Sequence, residues 1–103
     1  MASTFYIYVL FSPSFDKYYI GYSDDPGRRL IEHNTKPFYT YTRKYRPWIL
    51  KAAFLCGKKS IAIRMEKFIK KQKSRQLLEM LCNPRFQPVG FLAQLVRVPD
   101  IRD

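Results

Sequence analysis

The sequence predicts an α+β domain in which a small three-stranded mixed or antiparallel central sheet is flanked by about three helices. Three observations predict it. Residues 5–11, 18–22 and 48–55 are short runs rich in aromatic and β-branched side chains, too short for typical helices. The stretch Ser12-Pro13-Ser14-Phe15-Asp16 supplies turn chemistry between the first two. Segments with helix-start signals and an apolar stripe at three- and four-residue spacing follow the second and third runs.

Taken in order, residues 5–11 and 18–22 form an antiparallel hairpin. Residues two apart in a strand share a face, so Tyr6 and Tyr8 point one way and Ile7 and Val9 the other. Tyr19 is expected on the tyrosine side. Asp24-Asp25-Pro26 starts a helix through His33, because an Asx side chain caps free backbone N–H groups and proline at the first helical position loses no internal bond. Gly27 weakens that first turn by up to ~1 kcal/mol relative to alanine. Residues 34–47 read as a basic loop in which aromatics alternate with cations. Residues 48–55 make the third strand, ended by Gly57. Ser60 is the expected cap of a second helix bearing Ile61, Met65, Phe68 and Ile69 on one stripe. Ser74 offers a further cap, so residues 60–82 are one bent helix or two, stopped at Asn83-Pro84.

A chain of 103 residues suits a single domain, and residues 1–83 account for all of the predicted elements. Nineteen Lys and Arg against eight Asp and Glu give a formal charge of +11, which favours a polyanionic partner. The cations are interleaved with 17% aromatic residues, the composition of a folded basic domain and not of a disordered arm. No stretch reaches the ~18–20 apolar residues of a membrane span, so no membrane partner is expected. The apolar run at residues 5–11 lacks the basic flank of a secretory leader. Cys56 and Cys82 read as reduced thiols of a cytoplasmic protein, with nucleoid association left open.

Tyr6-Ile7-Tyr8, then Tyr19-Ile20-Gly21, then Arg29 in the first helix and Glu66 in a later one resemble the GIY-YIG nuclease superfamily. Its compact stand-alone bacterial members are similar in three ordered blocks, "GYSDDPGRRLIEHN", "YTRKYRPWIL" and "SIAIRMEKFIKKQKSR", over roughly residues 4–82. The resemblance implies metal-dependent endonuclease action on DNA, in the setting of DNA repair or recombination, with one Mg²⁺ or Mn²⁺ ion. It gives catalytic positions to Tyr8, Tyr19 and Arg29, metal binding to Glu66, and a motif role to Tyr6, Ile7, Ile20 and Gly21. His33 matches a histidine that many members carry one helical turn after the arginine. Two positions depart from the pattern: Tyr6 stands where the family name has glycine, and the polar residue that completes several such sites has only Asn83 as a weak counterpart.

The residue types suit the chemistry. Phosphodiester hydrolysis needs an activated water, neutralised phosphate charge and a stabilised leaving oxygen. Arg29 forks onto phosphate oxygens, and Glu66 offers the hard oxygen that a Mg²⁺-like ion takes. An ordinary tyrosine has a pKa of ~10, so Tyr8 serves as a base near neutrality only where cations or a metal favour its phenolate. Tyr19 is placed to hydrogen-bond the water or the phosphate. His33, four residues after Arg29, can order a phosphate or share proton transfer; taken alone it is an ordinary histidine at a helix C-terminus, favoured by the dipole.

Lys36, Tyr39, Tyr41, Arg43, Lys44, Arg46 and Lys70 are the candidate nucleic-acid contacts, since cations neutralise phosphates and rings stack on unpaired bases. The expected partner is DNA, branched or nicked, with RNA left open, bound by a monomer or weak dimer. The alternative is a catalytically inactive basic DNA- or RNA-binding module on the same fold. Residues 84–103 match nothing in the resemblance and read as a tail of uncertain role, with disorder, a fourth strand and a docking segment all open. Ala93-Gln94-Leu95-Val96-Arg97 also resembles a forward translation of the D-arm region of a transfer-RNA gene, on which reading residues 88–103 are dispensable for folding.

Overall fold

The structure is a computed structural model that describes residues 4–98. Its single sheet contains β1 (Phe5–Ser12), β2 (Lys17–Ser23), β3 (Ile49–Gly57) and β4 (Val96–Arg97) in the order β2-β1-β3-β4. Every neighbouring pair is antiparallel. The helices are α1 (Pro26–Thr35), α2 (Thr40–Lys44), α3 (Lys59–Gln72) and α4 (Arg75–Cys82), and a 3₁₀ turn covers Gly90–Gln94.

The hairpin forms as its pattern dictates, with Tyr8 opposite Gly21 and Leu10 opposite Tyr19. Strand alternation splits the sheet into two working faces. On one, Ile7, Val9, Ile20, Ala52 and Phe54 pack against Met65 and Ile69 of α3 and Leu81 of α4. On the other, Tyr8, Leu10, Leu50 and Ala53 meet Trp48, Tyr19 and Leu30 of α1. Each fully buried aliphatic side chain in these layers contributes on the order of 1.5–3 kcal/mol. The hairpin tip is anchored to α4 by Arg75, which donates to the carbonyl of Asp16 at 2.7 Å and to its carboxylate at 2.5 Å.

α1 starts as expected: Asp25 Oδ1 accepts from the Arg28 backbone N–H at 3.0 Å, with Pro26 in the first turn. α3 starts at Lys59 without a side-chain cap, so Ser60 does not play the expected part. Its buried residues are Ala62, Met65 and Ile69, while Phe68 lies at the margin against Phe91. Residues 60–82 are two helices. Lys73 turns left-handed at φ 50°, and Ser74 Oγ caps α4 by accepting from the Leu77 N–H at 3.0 Å.

Two features differ from the sequence expectation. The basic stretch 34–47 contains α2, a helix of one turn without apolar periodicity; tertiary bonds hold it, including Trp48 Nε1 to the Thr42 carbonyl at 2.8 Å. The sheet has four strands, not three, because Val96–Arg97 pair with Leu55 and Phe54 at the edge of β3. A two-residue strand is too short for any periodic pattern to announce it.

The fourth strand belongs to the stretch set apart as a tail. Leu92 and Leu95 are buried in the same core as Met65 and Phe54, and the Val98 N–H donates to the Ala53 carbonyl at 2.8 Å. Through residue 98 this segment is packed, which is at odds with its being dispensable or disordered there. Residues 99–103 lie outside the described residues.

Candidate active site

Tyr8, at the middle of β1, is 3% exposed. Its ring lies over the backbone of Gly21: a Cβ at position 21 would meet Tyr8 Oη at 2.6 Å and Cζ at 2.7 Å. The motif glycine therefore has a steric function. It leaves the room in which the cross-strand phenol lies flat and reaches α1.

There the phenol meets His33 Nε2 at 2.9 Å, while His33 Nδ1 is 2.9 Å from Thr42 Oγ1. His33 is 1% exposed and Thr42 2%. His33 lies in the last turn of α1, as expected of a helix-end histidine, and both of its ring nitrogens are engaged by protein side chains. Rings enclose the imidazole, with centroids at 4.8 Å for Tyr19 and 4.5 Å for Tyr39. Burial first, then the Arg29 charge, lowers the His33 pKa from 6.5 to about 4, so the ring is neutral at neutral pH. Burial also raises the Tyr8 pKa strongly, and the charge of Arg29 is too small a counterweight. The chain's positive field thus does not make a resting phenolate.

Arg29 lies on the same helix, its guanidinium held by the Tyr39 hydroxyl, which in turn donates to Glu32 Oε1 at 3.1 Å. Glu32 is 3.5 Å from Arg29 as well. This bracket fixes one edge of the guanidinium. Among the described residues the buried Arg29 Nε–H has no acceptor, an unsatisfied charged donor of the kind that a bound oxyanion completes.

Glu66 arrives from α3, with its side chain 14% exposed and Lys70 Nζ 3.5 Å from one carboxylate oxygen. Lys70 lies 5.8 Å from the Tyr19 ring centroid. Tyr19 has its pKa raised by burial and next by the Glu66 charge, and is lowered in part by Arg29. Both tyrosines feel both Arg29 and Glu66. Arg29 of α1 and Glu66 of α3 thus both bear on the ionisation of the two tyrosines, and Lys70 links the α3 carboxylate to the Tyr19 ring. Among the described residues no three His, Cys, Asp or Glu side chains gather, so no cage of protein ligands forms. A single, mostly buried carboxylate fits a Mg²⁺- or Mn²⁺-type ion, which takes few protein ligands and fills its shell with water and phosphate oxygens.

Next to Tyr19 a cleft of about 440 Å³ opens along the edge of β2, lined by Lys17, Tyr18, Tyr41, Lys70 and Lys73 among others. Tyr41 is half-exposed and 6.2 Å from Tyr19, ring to ring. Lys36, Arg43 and Lys44 are exposed. Arg46 is engaged otherwise: its guanidinium donates to the carbonyls of His33 and Lys36, both at 2.5 Å, and so holds the end of α1. Asn83 sits in the turn after α4, accepting from the Arg85 N–H and, through its carbonyl, from Arg97. It takes no place at the site. Tyr6 shares a cleft with Pro26 and Gly27, at the other end of the tyrosine face. Ile7 and Ile20 are core residues.

Two contributors went unrecognised in the sequence. Thr42 lies in a stretch with no helical signature, and Asn34 bonds the Trp48 backbone at both ends, 3.0 and 2.7 Å, pinning α1 to the start of β3. The available signal was the lone histidine: if its ring works, something must hold each nitrogen.

The candidate site thus draws on paired tyrosines, a guanidinium and a carboxylate carried by an α+β sheet and its helices. The GIY-YIG catalytic domain family matches residues 4–79, and the chain belongs to that family. No curated protein and no solved structure matches the chain. Domains of this family are nucleases that generally use divalent metal ions, so nucleic acid is the substrate class. Among the described residues no helix is long and apolar enough to cross a membrane.

Proposed function

We propose that this chain is a metal-dependent endonuclease that hydrolyses DNA phosphodiester bonds with Tyr8, Tyr19, Arg29, His33 and Glu66. The observation that supports the reading above all is the family match over residues 4–79, with Tyr8 hydrogen-bonded to His33 on the helix that carries Arg29. Arg29 binds non-bridging phosphate oxygens through the N–H groups that Tyr39 and Glu32 leave free. A divalent ion held by Glu66 supplies charge neutralisation at the phosphate and a more acidic water.

Tyr8 takes a proton from the attacking water as its own passes to His33 Nε2, so that no free phenolate is required. Burial holds both Tyr8 and His33 in their neutral forms at rest, so the relay starts from neutral groups. Tyr19, whose side chain lines the cleft, orients the water or the phosphate. Lys17, Lys73 and Tyr41 line the path of the adjoining strand, with Lys36, Arg43 and Lys44 as peripheral phosphate contacts. Lys70 is shared between Glu66 and that path.

Branched, nicked, single-stranded and duplex DNA, and RNA of matching sequence, are incubated with the protein in Mg²⁺, Mn²⁺ or chelator. Cleavage that needs the metal, with products from DNA, is expected. Salt-sensitive binding without cleavage of any substrate would assign the chain to the inactive binding-module class instead.

A further inference from the structure

We propose that Thr42 is a positioning residue that locks His33 in the Nδ1–H tautomer, so that its Nε2 lone pair faces the Tyr8 hydroxyl. The inference rests on the reading of Tyr8 as the group that receives the water's proton. A phenol hands on a proton only to a nitrogen that carries none. Which of the two imidazole nitrogens is bare is decided by its neighbours, since a neutral ring has one N–H and one lone pair.

The Tyr8 end of the chain of bonds decides, and the Thr42 end completes it. At the Tyr8 end, the hydroxyl has one hydrogen-bond partner among the described residues, His33 Nε2 at 2.9 Å. Buried as it is, the phenol O–H has to donate there, and Nε2 accepts. At the other end, Thr42 Oγ1 is 2.9 Å from His33 Nδ1, and the Tyr39 carbonyl at 3.4 Å lies within reach of its own proton. With Nε2 accepting from Tyr8, the neutral ring carries its proton on Nδ1, and the Thr42 hydroxyl offers that N–H a lone pair at 2.9 Å. Nδ1 is therefore the protonated nitrogen.

Thr42 can hold this position because it is itself immobilised. Its carbonyl accepts from Trp48 Nε1 at 2.8 Å, and Trp48 is buried between α2 and the sheet. The Trp48 backbone is fixed in turn by Asn34, the residue after His33. Helix α2, which binds little apolar surface of its own, thus has a distinct purpose: it carries one hydroxyl to the far side of the imidazole. The order phenol, imidazole, hydroxyl has the logic of a triad whose third member orients the second.

His33 is the chain's one histidine, so its ring nitrogens are resolved without ambiguity in ¹⁵N-labelled protein. NMR near neutral pH is expected to show Nδ1 protonated and Nε2 bare in the wild type and in Thr42→Ser, which keeps the acceptor. Thr42→Val removes the acceptor at nearly constant shape; it is expected to mix the tautomers and to lower kcat about tenfold to a hundredfold, with KM unchanged and Thr42→Ser restoring the rate. A wild-type Nε2–H tautomer overturns the proposal, as does a Thr42→Val protein with unchanged spectrum and rate. The wild-type spectrum stands even if Thr42→Val fails to fold. Tyr8→Phe separates the two layers: full activity in that variant defeats the proton-transfer reading, whereas the spectrum reports the tautomer independently of any cleavage.

Discussion

Tyr8 and Gly21 face each other across the β1–β2 hairpin, and the phenol of one fills the space that a side chain on the other would need. The pairing explains why two short motifs far apart in role sit on adjacent strands. One presents a hydroxyl, and the other clears its path. Gly21→Ala is predicted to push Tyr8 from its bond with His33 and to cost about 1–3 kcal/mol by overpacking. Denaturant unfolding reads the loss; an alanine variant as stable and as active as the wild type would show that the ring has room to spare.

Acid should weaken the fold through His33. Its folded pKa of about 4 lies below the unfolded value of 6.5, so below pH 6.5 the unfolded chain binds a proton that the folded chain refuses. Stability is unaffected by this group at higher pH and is lost as the pH falls through that window toward about 4. The predicted contribution is about 2 kcal/mol between roughly pH 7.5 and pH 5. Unfolding curves of wild type and His33→Gln over that range isolate it: their difference should shrink toward acid, and a constant difference would contradict a neutral buried ring.

The segment after α4 is predicted to be needed for stability. Leu92 and Leu95 fill the α3–α4 face of the sheet, so Leu92→Ala and Leu95→Ala should each cost about 2–5 kcal/mol, nearer the lower figure if the margin of the core relaxes. A chain ending at residue 87 should unfold at a lower denaturant concentration than either. Unchanged midpoints would restore the view of this segment as a passenger.

Much of this was legible before the structure. The period-2 hairpin, the Asp25-Pro26 helix start and the α3 stripe are local signals, and each states its own geometry. The roles of Tyr8, Tyr19, Arg29 and Glu66 came from the resemblance to the family. What stayed hidden was non-local or unperiodic. Helix α2 and strand β4 are too short to carry a pattern, and both exist because tertiary bonds hold them. The working surroundings of His33 depend on Thr42 and Tyr8, residues from two other elements. Arg46 looked like a free cation, but the distance between two carbonyls at the end of α1 decided its use.

Arg29→Lys tests whether charge alone suffices at the phosphate. Lysine keeps the charge but neither the fork nor the bond pattern to Tyr39 and Glu32. Cleavage is predicted to fall by about 10²–10³-fold while DNA affinity, measured at fixed salt, changes little. Equal rates for the two side chains would reduce Arg29 to a general electrostatic contact.

The central claim is that Glu66 brings the divalent ion to the two tyrosines. The direct measurement is DNA cleavage by wild type and Glu66→Gln in Mg²⁺ and in chelator, with DNA binding followed in the same samples. Glutamine preserves size and removes the charge. The predicted result is metal-dependent cleavage by the wild type and a loss of at least about 10²-fold in Glu66→Gln, with binding retained. Cleavage that survives in Glu66→Gln, or a wild type that binds DNA and cuts none of it, would contradict the account.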